Sequence, residues 1–174
     1  MILPLKKVCS FSIIFCLINV LSFGQTVESN TYGIALKTLL SHTISEVSVK
    51  DVSINLDEYD FVLDTRERNE YDVSRLPNAV FVGYDNFNIS SIDSLSKNAR
   101  ILLYCSVGYR SEKIGEQLKK AGYSNVKNLY GGIFEWKNQN RELVDLDGNI
   151  TNQVHAYDRV WGRFLRKGEK IYNN

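Results

Sequence analysis

Four apolar runs punctuate the chain: Phe61-Val62-Leu63, Val80-Phe81-Val82, Ile101-Leu102-Leu103-Tyr104 and, interrupted by Lys127 and Asn128, residues 126–130, with a weaker fifth at residues 47–49. Each is too short for a helix and lacks the alternation of a half-solvated strand, which predicts strands buried on both faces. Between the last two strong runs, residues 111–122 set Ile114 and Leu118 on one helical face. Glu112, Lys113, Glu116, Lys119 and Lys120 cover the rest, and Gly122 is placed to stop the helix. Ile34, Leu36, Leu39 and Leu40 predict a further short helix behind a polar linker at residues 25–32. No Asn-Gly or Asp-Gly turn joins the runs, so the connections read as crossovers. The expected class is α/β, a mostly parallel sheet of about five strands flanked by helices.

The two ends differ from this middle. Lys6 and Lys7 precede an apolar stretch at residues 8–23 that Ser10, Ser12 and Asn19 interrupt, short of the roughly 20 apolar residues that span a bilayer. With small residues at Ser22 and Gly24, residues 1–24 read as a signal peptide cleaved near Gly24-Gln25. The expectation is an exported, periplasmic protein; the alternative is an uncleaved membrane anchor. An N-terminal extension at residues 25–45, a domain at residues 46–143 and a C-terminal extension at residues 144–174 complete the organisation. In that last segment Val160, Trp161, Phe164 and Leu165 fall on one side and Arg159, Arg163, Arg166 and Lys167 elsewhere. This pattern predicts an amphipathic terminal helix with its aromatic face packed on the domain.

Charge and cysteine count narrow the chemistry. The whole chain carries 21 basic and 20 acidic side chains, and losing the signal would remove two lysines and no acid. The mature balance is near neutral, without the basic footprint of a nucleic-acid-binding protein. Of the three cysteines, Cys9 and Cys16 lie in the signal, so Cys105 would remain as an unpaired thiol. In an oxidising compartment such a thiol is a liability, and its presence points to use. One cysteine with two separated histidines, His42 and His155, does not make a zinc site. No metal or organic cofactor is expected.

Cys105 follows the run at residues 101–104 directly, and a helix is predicted to begin about five residues later. The segment Cys105-Ser106-Val107-Gly108-Tyr109-Arg110-Ser111 must therefore turn sharply at the carboxyl end of a strand, where open α/β sheets bind ligands. Gly108 allows the positive φ such a turn needs. Successive N–H groups can form an anion-holding nest, and the helix start adds unpaired donors. Arg110 brings a fixed positive charge suited to gripping an anion. Together these features favour the nucleophilic thiolate of Cys105 over the thiol.

That loop resembles the Cys-x-x-Gly-x-Arg-Ser active-site loop of rhodanese-type sulfurtransferases, and other segments match in order. Phe61-Val62-Leu63-Asp64-Thr65-Arg66-Glu67 resembles the family's strand-ending Asp-x-Arg motif. Residues 71–79 resemble the segment carrying its Gly-His-Ile-Pro-Gly-Ala, with Arg75 in place of His and Asn78 in place of Gly. Leu129-Tyr130-Gly131-Gly132-Ile133 through Trp136 resembles its closing Leu-x-Gly-Gly-x-x-x-Trp. The resemblance covers about residues 47–143 and implies a rhodanese-like fold.

The resemblance further implies that Cys105 takes a sulfane sulfur from thiosulfate or a similar small anionic donor as a persulfide. A thiol, including a protein thiol, or cyanide would then accept it. Ser106, Val107, Gly108, Tyr109, Arg110 and Ser111 would hold the anion, and Asp64 and Arg66 would brace the loop. Gly131 and Gly132 would serve a tight turn. A monomer with no nucleic-acid partner is expected. One alternative is a non-catalytic sulfur carrier or redox module. Another is a cysteine phosphatase or arsenate reductase, whose loops have five residues between Cys and Arg where this chain has four, Ser106 to Tyr109.

Overall fold

The computed structural model describes residues 26–172; the signal-peptide and anchor readings fall on residues 1–24, outside the described residues. Five strands form one parallel sheet: β1 (Glu46–Val47), β2 (Phe61–Asp64), β3 (Ala79–Phe81), β4 (Arg100–Tyr104) and β5 (Asn125–Leu129), in the order β1-β5-β4-β2-β3. This is the α/β architecture expected, with β4 at the centre. Ile101, Leu102 and Leu103 are fully buried, each stabilising the fold by about 1.5–3 kcal/mol relative to exposure. Ile101 and Leu103 enter one core and Leu102 and Tyr104 the other. Burial on both faces explains the unbroken apolar run.

Five helices cover the sheet: α1 (Asn30–Leu39), α2 (Val49–Ile54), α3 (Arg68–Val73), α4 (Tyr109–Lys120) and α5 (Gly132–Asn138). Helix α4 contributes Ile114 and Leu118 to the core it shares with Ile101 and Leu103, whereas α1, α2 and α5 contribute to the opposite one. Gly115 lets α4 approach closely, since a Cβ there would lie 2.9 Å from Ile44 and 3.2 Å from Leu103. Helix α1 begins inside the segment read as linker, with Ser29 as its N-cap. Its Tyr32 and Leu36 are fully buried.

The C-terminal segment corrects the sequence expectation. It holds short strands β6 (Leu143–Val144), β7 (Ile150–Thr151), β8 (Gln153–His155) and β9 (Glu169–Ile171), and only a single 3-10 turn, Trp161–Phe164, in place of an amphipathic α-helix. The Asp158 side chain takes the N–H groups of Val160 and Trp161, and Leu165 is extended. Gly168 then turns the chain at φ +89°. Burial follows the expected face in part: Leu165 is fully buried, whereas Val160 is exposed. Among the described residues no helix is long and apolar enough to cross a membrane.

Candidate active site

The paired ends of β2 and β4 bring Asp64 opposite Tyr104, so two loops leave the sheet side by side at its carboxyl edge. Cys105 follows Tyr104 and is a free, buried thiol, 1 % exposed. Gly108, at φ +112°, caps α4 in a conformation that L side chains rarely adopt. Its N–H donates to Cys105 Sγ at 3.1 Å, so a fixed donor already faces the sulfur where negative charge would reside. The N–H groups of Ser106 and Val107 have no protein acceptor among the described residues.

Helix α5 and strand β5 hold this loop from behind. Ile133 N–H donates to the Cys105 carbonyl at 2.9 Å and Phe134 N–H to that of Ser106 at 3.2 Å. That approach requires Gly132, at φ +55°, because a Cβ there would collide with the Cys105 carbonyl oxygen and lie 2.7 Å from the Ser106 carbonyl carbon. The second glycine of the Gly131-Gly132 pair therefore does more than turn the chain. Asn128, buried on β5, donates from Nδ2 to the Gly108 carbonyl at 2.9 Å and accepts from Ser111 Oγ at 2.7 Å. Ser111 thus fastens the loop to the sheet.

Arg110 does not stand free to grip an anion, as its position in the sequence suggests. Its guanidinium donates to both carboxylate oxygens of Glu70, at 2.6 and 2.8 Å, and to Ser106 Oγ at 3.0 Å. Ser106 Oγ also donates to Glu70 at 2.8 Å. Burial alone would raise the Glu70 pKa, but the hydrogen bonds and charge of Arg110, with Arg66 behind, hold it at about 2. Burial likewise works against the Arg110 charge; bonding to Glu70 and the proximity of Cys105 raise its pKa nonetheless. The pair fixes the loop's shape while offsetting much of the arginine's charge.

Asp64 and Arg66 lie one layer deeper. Both are fully buried, and Arg66 donates from Nε and Nη2 to the Asp64 carboxylate and from Nη2 to the Ser74 carbonyl. Asp64 also accepts the Tyr104 hydroxyl, which in turn accepts Leu76 N–H. Burial, then the Asp64 charge, push the Tyr104 phenol upward, so it remains a donor. These two residues brace the strand end and residues 74–76; their contacts reach the cysteine loop through Tyr104. Asn78 holds φ +59°, a left-handed conformation that asparagine tolerates better than most residues, which explains how it replaces glycine. Arg75 stacks over Tyr71 at 4.9 Å.

Cys105 opens into a cavity of about 100 Å³. Loop residues form its floor, but its walls include Leu39 of α1 and Tyr157 and Trp161 of the C-terminal segment. Arg110 lies 5.0 Å from the centre of the Tyr157 ring. The two histidines lie apart from each other: exposed His42 bonds half-buried Glu46, and buried His155 accepts Tyr157 N–H. Glu70, Asn128, Leu39, Tyr157 and Trp161 are the site residues that sequence motifs missed.

Comparison with known proteins agrees with this geometry. The model of the rhodanese-like domain matches residues 48–139. The tRNA uridine(34) hydroxylases of Salmonella agona and Erwinia tasmaniensis are each 34% identical over 98 residues, covering 53% of this chain and 28% of theirs. The chain thus spans little more than a quarter of these relatives. A solved Bacillus halodurans protein is 27% identical at a TM-score of 0.53, covering 66% of this chain and 84% of that one. A thiosulfate sulfurtransferase from Pseudomonas aeruginosa, 18% identical with a TM-score of 0.54 and covering 78% of this chain and 26% of that one, shares the fold.

Proposed function

Since the chain belongs to the rhodanese-like domain family, we propose that it is a sulfurtransferase working through a persulfide on Cys105, with thiosulfate or a similar anion as donor. The observation that carries this reading is the Gly108 N–H directed at Cys105 Sγ, inside a loop whose Ser106 and Val107 amides find no acceptor among the described residues. The thiolate attacks the outer sulfur of the donor. The donor's S–S bond breaks, and sulfite leaves with the bonding electron pair. Loop N–H groups stabilise the charge as it develops, as an oxyanion hole does. Glu70 and Arg110 act as positioning residues that keep those amides in place.

A thiophile then attacks the outer sulfur of the persulfide and returns Cys105 to its thiolate. Four residues between Cys105 and Arg110 make a tighter ring than the five of cysteine phosphatases, which favours sulfur over a phosphate ester. The hydroxylation named for the tRNA relatives is not carried over. The chain covers 28% of their length, and its charge is close to balanced. The test is steady-state kinetics with thiosulfate and cyanide: parallel double-reciprocal lines in the wild type and no turnover in Cys105→Ser are expected. Thiocyanate formation no greater in the wild type than in that variant would overturn the reading.

A further inference from the structure

We infer that Leu39, Tyr157 and Trp161 form a filter over Cys105 that restricts the sulfur acceptor to low-molecular-weight thiols with small, uncharged substituents. This rests on the sulfur-transfer reading and deepens it. All three residues lie outside the matched segment 48–139, so the selectivity belongs to this chain's own extensions.

The wall is built into the packing. Tyr32 of α1 stacks on Phe164 at 4.9 Å, and Phe164 meets Trp161 at 5.7 Å. Asn138 of α5 ties down the same segment through the Phe164 carbonyl and Arg166 N–H. Tyr157 holds φ +63°, a left-handed conformation that a bulky side chain keeps only where surroundings impose it. Its N–H is bound by His155 Nδ1 at 3.1 Å, and its ring faces Arg110. The two terminal segments therefore meet across the mouth of the loop and hold their side chains there.

Size and polarity then select the acceptor. Cys105 is only 1 % exposed, at the base of a cavity of about 100 Å³ whose mouth lies between Leu39, Tyr157 and Trp161, so a thiol of a few carbons reaches the sulfur more readily than one carried on a tripeptide or on the surface of a folded protein. Leu39, Val107 and the rings of Tyr157 and Trp161 offer a charged substituent no counter-ion, and Arg110 is already paired with Glu70. A charged substituent held against that apolar wall loses hydration without compensation, whereas a small anion seated on the loop meets its N–H groups. In the transfer, the acceptor thiolate attacks the outer persulfide sulfur. The bond from that sulfur to Cys105 Sγ breaks, its electron pair returns to Cys105, and the product leaves as a hydropersulfide anion.

The filter can be read without sulfur transfer, by following modification of the Cys105 peptide in the full chain. The probes are N-ethylmaleimide and a maleimide carried on a polyethylene glycol chain. The small reagent is expected to react at least roughly tenfold faster, the scale on which pockets discriminate by size. Tyr157→Ala and, from the opposite wall, Leu39→Ala are expected to bring the two rates together. Equal rates in the wild type, or a ratio unmoved by both variants, would overturn the inference. Persulfide-loaded protein supplies the second readout: discharge by 2-mercaptoethanol should outpace discharge by glutathione, compared at equal thiolate concentration, and Trp161→Ala should erase the difference. Equal discharge in the wild type would also count against the filter. Failure of Cys105 to take sulfur at all would instead defeat the transfer reading, with the maleimide ratio still deciding the filter.

Discussion

Replacing Glu70 of α3 by glutamine removes one charge beside the Cys105 loop while preserving shape, and its cost follows from the geometry. The carboxylate accepts two bonds from Arg110, one from Ser106 Oγ and one from Glu67 N–H, with its side chain only 3% exposed. Holding its pKa at about 2 against an ordinary 4.5 corresponds to about 3 kcal/mol at 1.36 kcal/mol per unit. The cost of breaking a buried ion pair by removing one partner, about 3–5 kcal/mol, agrees. A carboxyl with a depressed folded-state pKa contributes its full stabilisation above the unfolded value. That stabilisation is lost as pH falls through the folded value, here between about pH 4.5 and 2.

Urea unfolding from pH 7 down to pH 2 measures this directly. Glu70→Gln should be about 3 kcal/mol less stable than wild type at neutral pH, and the gap should close through that acid window because only the wild type loses the ion pair there. A gap that stays constant with pH would mean that glutamine merely packs badly. No gap at neutral pH would mean that the pair contributes nothing.

Other outcomes follow from the loop's supports. Gly132→Ala should displace the Cys105 and Ser106 carbonyls, since the new methyl has no room; thermal unfolding should register a loss of several kcal/mol, and the variant should fail to take up sulfur from thiosulfate. Asn128→Ala strands the Ser111 hydroxyl and removes one of two donors from the Gly108 carbonyl, which keeps Glu112 N–H, at a cost of about 1–3 kcal/mol for the buried hydroxyl left unpaired, measurable by chemical denaturation; an unchanged midpoint would show that water replaces the amide. Tyr104→Phe removes the hydroxyl between Asp64 and Leu76, with a loss of about 1–3 kcal/mol expected in the same assay.

Local patterns carried much of the fold and the centre of the site. The run Ile101-Leu102-Leu103 could serve only a strand buried on both faces, and Cys105, Gly108 and Arg110 lie within six consecutive residues at its end. Glu70 was hidden because it reaches Arg110 from forty residues away, in a stretch where Glu67, Arg68 and Asp72 look equally like surface charge. Without that partner Arg110 reads as a free anion ligand, whereas its removal would in fact leave a buried carboxylate uncompensated. Asn128 looked like a polar break in an apolar run, and its meaning depends on the Gly108 carbonyl above it.

The spacing of Val160, Trp161, Phe164 and Leu165 fitted a helix, but tertiary demands overrode it. Phe164 is drawn onto Tyr32, and the Asp158 side chain competes for the N–H groups of Val160 and Trp161. No local pattern encodes the meeting of Leu39 with residues more than a hundred positions away, and that meeting encloses the site.

Intact-mass analysis after incubation with thiosulfate, followed by mapping of the modified peptide, tests the central claim most directly. Cys105 should gain one sulfur atom that cyanide removes as thiocyanate, and Cys105→Ala should gain none. No added sulfur on the wild type, or an equal gain on the alanine variant, would contradict a persulfide carried by Cys105.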